Sequence, residues 1–433
     1  MIPSILRYSV VASGLFALAG LSHAEPAKAV AGEWGTFRGP NHDGTGPALK
    51  SVKDWKQVKL QQLWKQDTPN GFSSFSVAGG KVYTIVTREI EGNSGETLVC
   101  LDIKDGKEVW AKPLTVMGKY DGGGDSGTND NKGGDGPRST PTVDGGNVYA
   151  IDANLGVFCF DAATGKPVWN HSVMKDNSGV VLKWHNAASP VIDGDILLMA
   201  GGGNGQALIG FDKKTGAIKW KGQDDKMTHA TPIIADILGI HQAIFFTQKG
   251  LVGVTPATGK VIWRADFPYK VSTAASPVVW QDIVYCSAGY GVGAGAFKMT
   301  KDGAGLKATQ IWRTEGDTLA NHWSTPVVKD GFLYGMFSFK KYGEGPVACV
   351  DIRTGDIKWS QAGFGPGQVI LADKTVVAIS DKGEIVAIET NPEKYVELKR
   401  EKVVSGKVWS YPVLAYDHLF ARSTKEGGCW ELK

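Results

Sequence analysis

Apolar and polar residues alternate along this chain in short runs, each closed by a glycine turn, and the runs recur. In Ser139-Thr140-Pro141-Thr142-Val143-Asp144-Gly145-Gly146 and in Ala188-Ser189-Pro190-Val191-Ile192-Asp193-Gly194 the alternation has the two-residue period of a half-buried strand. The glycines mark the tight connection that follows. The same opening, a small residue, then Ser or Thr, then Pro, stands at Ala230-Thr231-Pro232, Ala275-Ser276-Pro277 and Ser324-Thr325-Pro326, with Ser410-Tyr411-Pro412 as a variant. Proline has no N–H to give to a ladder, so within sheets it is tolerated at an edge. The strand carrying it is expected to be the innermost of its sheet, with its free edge toward a central channel.

A second pattern lies downstream of each such strand: Asp-x-x-Thr-Gly-x-x-x-Trp. It reads Asp102…Gly106…Trp110, Asp161…Thr164-Gly165…Trp169, Asp212…Thr215-Gly216…Trp220, Thr255…Thr258-Gly259…Trp263 and Asp351…Thr354-Gly355…Trp359. Degenerate copies end at Trp64, Trp312 and near Leu398. An Asp carboxylate accepts backbone N–H groups of the turn after it, and Gly supplies the positive φ of a tight hairpin. The Trp then brings a large apolar surface and one N–H to the outermost strand, where it is expected to dock between blades. Successive Trp residues stand about 43 to 59 apart, the length of one four-stranded propeller blade.

Counting outer strands gives eight, at Trp64, Trp110, Trp169, Trp220, Trp263, Trp312, Trp359 and near Leu398. Trp64 has no inner strands before it, and Trp409 to Lys433 supplies inner strands with no outer one after them. The two fragments complete each other, so the ring closes by joining the N-terminal strand to the C-terminal ones, which leaves no open sheet edge. The expected fold is an all-β, eight-bladed β-propeller of four-stranded antiparallel blades over residues 59–433, preceded by a leader at 25–58 and a signal peptide at 1–24.

These repeats resemble the tryptophan-docking motif of the quinoprotein dehydrogenases and of related non-enzymatic propellers, among them the bacterial outer-membrane assembly propeller. The likeness covers nearly all of residues 60–433. Trp34-Gly35-Thr36-Phe37-Arg38-Gly39-Pro40-Asn41 also resembles the leader of many secreted bacterial propellers of unassigned activity. The resemblance implies that dehydrogenase members hold pyrroloquinoline quinone with Ca²⁺ over the channel, commonly with a disulfide between adjacent cysteines stacked on the cofactor and a catalytic Asp. This chain has no adjacent Cys pair and no Cys-x-x-Cys-His haem site, and no Asp can be matched to the catalytic one.

Composition narrows the remaining classes. Among 433 residues there are 57 Gly and 14 Trp, with 21% charged, a profile of short strands and many turns. A net charge of +3 without a Lys/Arg stripe excludes nucleic acid as the expected partner. The N-terminus has Arg7, an apolar run from Val10 to Leu21, and Ser22-His23-Ala24, the pattern of a secretory signal cut after Ala24. Its apolar run falls short of the roughly 20 residues a spanning helix needs, and no Cys follows it for lipidation. A periplasmic or secreted protein without a stable membrane anchor is expected.

The candidate chemistry gathers at one end of the inner strands. Phe72, Arg138, Trp184, His185, Asn186, His229, His322, Trp323 and Trp409 precede or open inner strands, and Tyr290, Lys340 and Tyr342 end second strands on the same side. Convergent aromatic, imidazole and guanidinium groups over a funnel make a small-molecule or peptide site, and if a quinone binds, these residues are where it would lie. The bland alternative is that they plug the channel. The histidines come from separate blades without ligand spacing, so no metal site is expected. Cys100, Cys159, Cys349 and Cys429 fall where other repeats have Gly210, Gly253, Ala296 and Ala387, which reads as packing rather than disulfides, with Cys286 unassigned. The oxygen-rich insert Asp121 to Pro137 is a solvated loop, a lid over the funnel, or a Ca²⁺ holder of irregular spacing. Gly201–Gly205 and Gly291–Gly295 read as turn glycines, because neither opens a helix after a parallel strand. Two functions follow: a ligand- or protein-binding scaffold, or a pyrroloquinoline-quinone-dependent oxidoreductase of alcohols or sugars.

Overall fold

The computed structural model describes residues 31–47, 49–125, 128, 134–338 and 343–433; the expected signal peptide, Lys340 and Tyr342 lie outside them. The described residues form eight four-stranded antiparallel sheets, with one helical turn at Val173–Asp176. In ring order, with strands given from inside outward, blade 1 is Ser76–Ala78, Lys81–Ile90, Asn93–Asp102 and Glu108–Val116, and blade 2 is Thr142–Asp144, Asn147–Ile151, Gly156–Asp161 and Pro167–Ser172. Blade 3 is Val191–Asp193, Ile196–Ala200, Leu208–Asp212 and Ile218–Gly222, and blade 4 is Ile233–Ile237, Ile240–Thr247, Gly250–Val254 and Val261–Asp266. Blade 5 is Val278–Trp280, Ile283–Ala288, Gly293–Asp302 and Gly305–Thr314, and blade 6 is Val327–Lys329, Phe332–Met336, Val347–Asp351 and Ile357–Gln361. Blade 7 is Gln368–Ala372, Thr375–Ile379, Glu384–Glu389 and Glu397–Lys402. Blade 8 takes Val413–Ala415, His418–Arg422 and Glu426–Leu432 from one chain end and Leu60–Asp67 from the other, with Leu60 opposite Leu432. The predicted closure is the observed one.

The Asp-Gly-Trp repeat acts between blades as well as within them. Trp64 Nε1 donates to the Ile103 carbonyl (2.8 Å), Trp169 to Lys213 (2.9 Å), Trp220 to Pro256 (2.7 Å) and Trp312 to Ile352 (2.8 Å), each in the turn of the next blade. The turn glycine lies flat under that indole: a Cβ at Gly259, where φ is +68°, would stand 2.3 Å from Trp220. Trp263 departs from the rule, because blade 5 runs its last two strands on, to ten residues each, and joins them by a two-residue turn between Asp302 and Gly305; its N–H goes instead to Gln242 of its own blade. On the same blade the indole faces a small residue. Cys100, Cys159, Cys349 and Cys429 pair with Trp110, Trp169, Trp359 and Trp64, as Gly210 and Ala296 pair with Trp220 and Trp312. All five cysteines are free and buried, as packing requires.

The small-Ser/Thr-Pro opening does a job the sequence pattern alone does not announce. Its proline stands just ahead of the short inner strand, and its central hydroxyl receives a backbone N–H from the neighbouring blade. Tyr411 N donates to Ser74 Oγ (2.7 Å), Ser74 N to Thr140 Oγ1 (2.9 Å), Thr140 N to Ser189 Oγ (2.9 Å) and Ser189 N to Thr231 Oγ1 (3.0 Å). Between the next two blades Ser276 Oγ donates to the Thr231 carbonyl (2.8 Å), and Ser276 N donates to Thr325 Oγ1 (2.9 Å). Blade 7 carries Pro366-Gly367-Gln368 and has no hydroxyl to offer. The ring is completed across it by the one long member, Tyr411, whose Oη accepts from Thr325 N at 2.7 Å. That reach explains the Tyr in the variant copy.

The leader closes the channel. Trp34 bridges Val77 of blade 1, the Gly35 carbonyl accepts Val143 N of blade 2 (2.7 Å), and Gly44 to Gly46 flank Leu371 of blade 7. Between these points Arg38, fully buried, donates to the carbonyls of Thr325 (2.9 Å), Pro326 (3.0 Å) and Asp43 (2.8 Å) and lies over the Tyr411 ring. A charge is tolerated there because carbonyl dipoles surround it.

Candidate ligand site at the channel mouth

A cavity of about 430 Å³, within the usual range for ligand sites, opens at one mouth of the ring. Phe37 of the leader and Tyr411, edge to face at 5.2 Å, form its floor together with Ser74 and Thr231 of the hydroxyl ring. Of the residues singled out in the sequence, Phe72, Arg138, Trp184, His229, Tyr290, His322, Trp323 and Trp409 line this basin. His185 and Asn186 do not. The Asn186 amide closes a local turn on Ala188, and His185 packs edge-on against Tyr120 at 5.4 Å.

Five rings form a continuous arc over blades 1, 8, 6 and 5. Phe72 stacks on Trp409 at 4.9 Å, Trp409 meets Trp323 at 4.2 Å, Trp323 meets His322 at 4.8 Å, and His322 meets Tyr290 at 5.1 Å. Gln368 holds the tryptophan pair together: its Nε2 donates to the carbonyl of Trp409 (2.7 Å) and to that of Trp323 (3.3 Å). Backbone conformation aims the last ring of this arc, Tyr290, and one further ring, Trp184. Trp184 and Tyr290 have φ of +67° and +59°, a region costly for residues with a Cβ, and Trp184 is held there by its N–H on Asp121 and its indole on the Gly122 carbonyl (both 2.8 Å).

The opposite wall is polar but already engaged. His229 Nε2 lies 3.0 Å from the Lys183 carbonyl and Nδ1 lies 2.9 Å from Ser272 Oγ. The carbonyl accepts only, so Nε2 carries the proton and Ser272 donates to Nδ1. Burial first, and the Arg138 charge second, push His229 down to about 4, while burial pushes His322 to about 3, so both are neutral rings at physiological pH. Arg138 is a rivet for the insert: it donates to the carbonyls of Gly136 (3.0 Å) and Gly134 and is sandwiched between Phe72 and Tyr120. Asp135 ties the other root of the insert by accepting Tyr120 N at 3.0 Å. The central part, residues 126–127 and 129–133, lies outside the described residues.

Behind Arg138 sits a carboxylate pair that repeat-based reading passes over, because it lies on strand interiors and loops rather than in the repeat. Glu96 accepts the Tyr120 hydroxyl and Ala153 N (2.9 Å), and Asp152 accepts Asn154 N (2.8 Å) and Gly156 N (2.7 Å). Burial, then the Asp152 charge, raise Glu96 to about 7; burial raises Asp152 to about 6. Phe37, Gln368 and Tyr411 were likewise outside the sequence-derived set. Among the described residues no Asp or Glu lines the basin, and no group of three or more His, Cys, Asp or Glu is placed to hold a metal ion.

The family model described as outer membrane protein assembly factor BamB matches residues 94–361 and 300–394. Comparison with curated proteins finds no match. Among solved structures, the quinohemoprotein alcohol dehydrogenase of Comamonas testosteroni superposes with a TM-score of 0.63 at 11% identity, over 92% of this chain and 80% of that one. The quinohemoprotein alcohol dehydrogenase ADHIIG of Pseudomonas putida HK5 gives 0.61 at 12%, with the same coverage of 92% and 80%. The computationally designed Ika8 protein gives 0.53 at 13%, over 86% of this chain and 99% of that one. At such identities the shared property is the fold.

Proposed function

This chain belongs to the PQQ-type repeat β-propeller family represented by the outer membrane protein assembly factor BamB model, and from that premise we propose that it is an exported binding scaffold whose recognition surface is the basin at the channel mouth. The observation that carries this reading is the character of the basin: aromatic on one side, hydrogen-bonded within the protein on the other, and floored by Phe37 and Tyr411. Such a lining offers apolar area and shape, which serve binding, and its serine–imidazole contact, Ser272 to His229, is part of a wall in which His229 Nε2 is also bonded to the Lys183 carbonyl. Export rests on the signal-like residues 1–24, and no described helix is long and apolar enough to cross a membrane.

The second reading, a quinone-dependent oxidoreductase, is favoured by the fold alone. Pyrroloquinoline quinone with Ca²⁺ does not fit the donors present. Ca²⁺ takes six to eight oxygen ligands, carboxylates prominent among them. The described lining supplies the side-chain oxygens of Ser74, Thr231, Ser272, Tyr290, Gln368 and Tyr411 and no carboxylate, and its one guanidinium is already bonded to two carbonyls. Titration of the purified protein with quinone and Ca²⁺, followed by tryptophan fluorescence and by dye reduction with alcohols and sugars, separates the two. The scaffold reading expects no turnover; saturable quinone binding with dye reduction would overturn it.

A further inference from the structure

We infer that the occupant of the basin is an uncharged aromatic ring that brings few hydrogen-bonding groups, such as an indole or phenyl group. This deepens the scaffold reading and rests on the same basin. Most polar atoms of the lining already have partners within the protein. Ser74 Oγ accepts Tyr411 N (2.7 Å), Thr231 Oγ1 accepts Ser189 N (3.0 Å), and both nitrogens of His229 are paired, one of them with Ser272. The Trp184 and Trp323 indole N–H groups are held by the carbonyls of Gly122 (2.8 Å) and Pro366 (3.1 Å). Trp409 Nε1 and Gln368 Oε1, both buried, are one donor and one acceptor on the lining side chains left without a partner.

A polyhydroxylated or multiply charged ligand would shed its water on entry and find fewer partners than it has groups, because the imidazole of His229, two indole N–H groups and one acceptor site on each of the Ser74 and Thr231 hydroxyls are already engaged. Each group left unpaired costs the complex its desolvation. An aromatic ring loses little water and gains offset-stacked or edge-on contact with the arc that runs from Phe72 through Trp409 and Trp323. The electrostatics agree. His229 and His322 are neutral, no described lining residue is acidic, and the Arg138 charge is spread over two carbonyls and two rings, so a free cation has no counter-charge waiting for it. The ring is delivered either as a free molecule or as the side chain of a peptide, and the test below separates these sources.

The full-length mature protein is titrated calorimetrically with indole, with a capped pentapeptide carrying a central Trp, with glucose, and with pyrroloquinoline quinone plus Ca²⁺. Saturable binding of indole or of the peptide, at least tenfold tighter than glucose and the quinone, is the expected result; a tighter peptide identifies a side-chain anchor and a tighter indole identifies a free ring. Trp323→Ala should weaken that binding tenfold or more. Because loss of a ring can unsettle the fold, Ala187→Phe, which fills the basin from a small lining residue, serves as the second variant and should abolish binding with an unchanged melting transition. Lys107→Ala, far out on an exposed turn, should bind as the parent does. Equal or tighter binding of glucose or quinone, no saturable binding of either aromatic probe by folded protein, or undiminished binding in Ala187→Phe overturns the inference. Quinone-dependent turnover would instead sink the scaffold reading, so the two failures are told apart.

Discussion

Replacing Glu96 by Gln should stabilise the protein at neutral pH and flatten its pH dependence. Glu96 is buried beneath the root of the insert, and its carboxyl is raised from 4.5 to about 7, first by burial and then by the Asp152 charge. The folded state therefore holds this proton more tightly than the unfolded chain. Where the native state binds more protons, stability falls as pH rises, so the contribution is fully present below about 4.5 and is lost on the way up to about 7. A displacement from 4.5 to about 7, at 1.36 kcal/mol per pH unit, amounts to about 3 kcal/mol. Gln keeps the shape: its Oε1 can accept Ala153 N and its Nε2 can donate to Tyr120 Oη, while no charge remains to be desolvated. With an unfolding entropy of roughly 2.1 cal/mol/K per residue, about 3 kcal/mol moves the melting temperature of a chain this long by about 3–4 °C. Calorimetric melts of parent and E96Q from pH 4 to pH 8 measure it. The two should coincide at the acid end, draw apart as pH rises from about 4.5 to about 7 with the variant higher, and keep that gap above it; a parallel pair of curves throughout, or a variant less stable throughout, would refute the burial argument. Asp152, raised to about 6, leaves a residual slope in the variant.

Three further outcomes are expected. Gly259→Ala asks a Cβ to occupy the left-handed region and to sit 2.3 Å from the Trp220 ring, so denaturant melts should show a loss of at least about 1 kcal/mol, whereas the same change at Gly205, with nothing within 4 Å, carries only the backbone term. Arg38→Met removes three hydrogen bonds from a buried cation to carbonyls of the leader and of blade 6; a loss of about 2–3 kcal/mol in urea melts is expected, with the leader becoming sensitive to protease. Deleting Trp409 to Lys433 strips Leu60–Asp67 of its only ladder and should lower the melting transition of the whole ring, so an unchanged transition would contradict closure by the two chain ends.

The architecture was legible because each blade repeats one solution to one problem. Asp161, Gly165 and Trp169 are constrained by turn geometry and by an indole that must sit on the next blade, and those constraints recur at a fixed spacing. Most of the basin's aromatic and imidazole side chains were legible as a consequence, since whatever precedes an inner strand must lie at the same mouth. The same logic overreached at His185 and Asn186, where two successive residues share one loop and only Trp184 faces the cavity. Phe37, Gln368 and Tyr411 escaped for the opposite reason. Their roles come from departures from the repeat: a leader that returns through the channel, a blade without a hydroxyl, and a long ring that reaches over it. Tyr in place of Ser or Thr before Pro412 was the one visible signal. The Glu96–Asp152 pair gave none, because a carboxylate inside a strand looks like any solvent-facing residue until its surroundings are known.

Sharing one sheet between the first and last strands also has a kinetic side. Leu60–Asp67 leaves the ribosome about 360 residues before its partner Glu426–Leu432. At ribosomal speeds of about 5–20 residues per second, the early strand waits roughly 20–70 s with its backbone N–H and C=O groups unpaired. Throughout that interval it is a template for the wrong neighbour, a second nascent copy included. The ring cannot lock before Glu426–Leu432 arrives, so this shared sheet acts as a clasp that sets when the circle becomes complete.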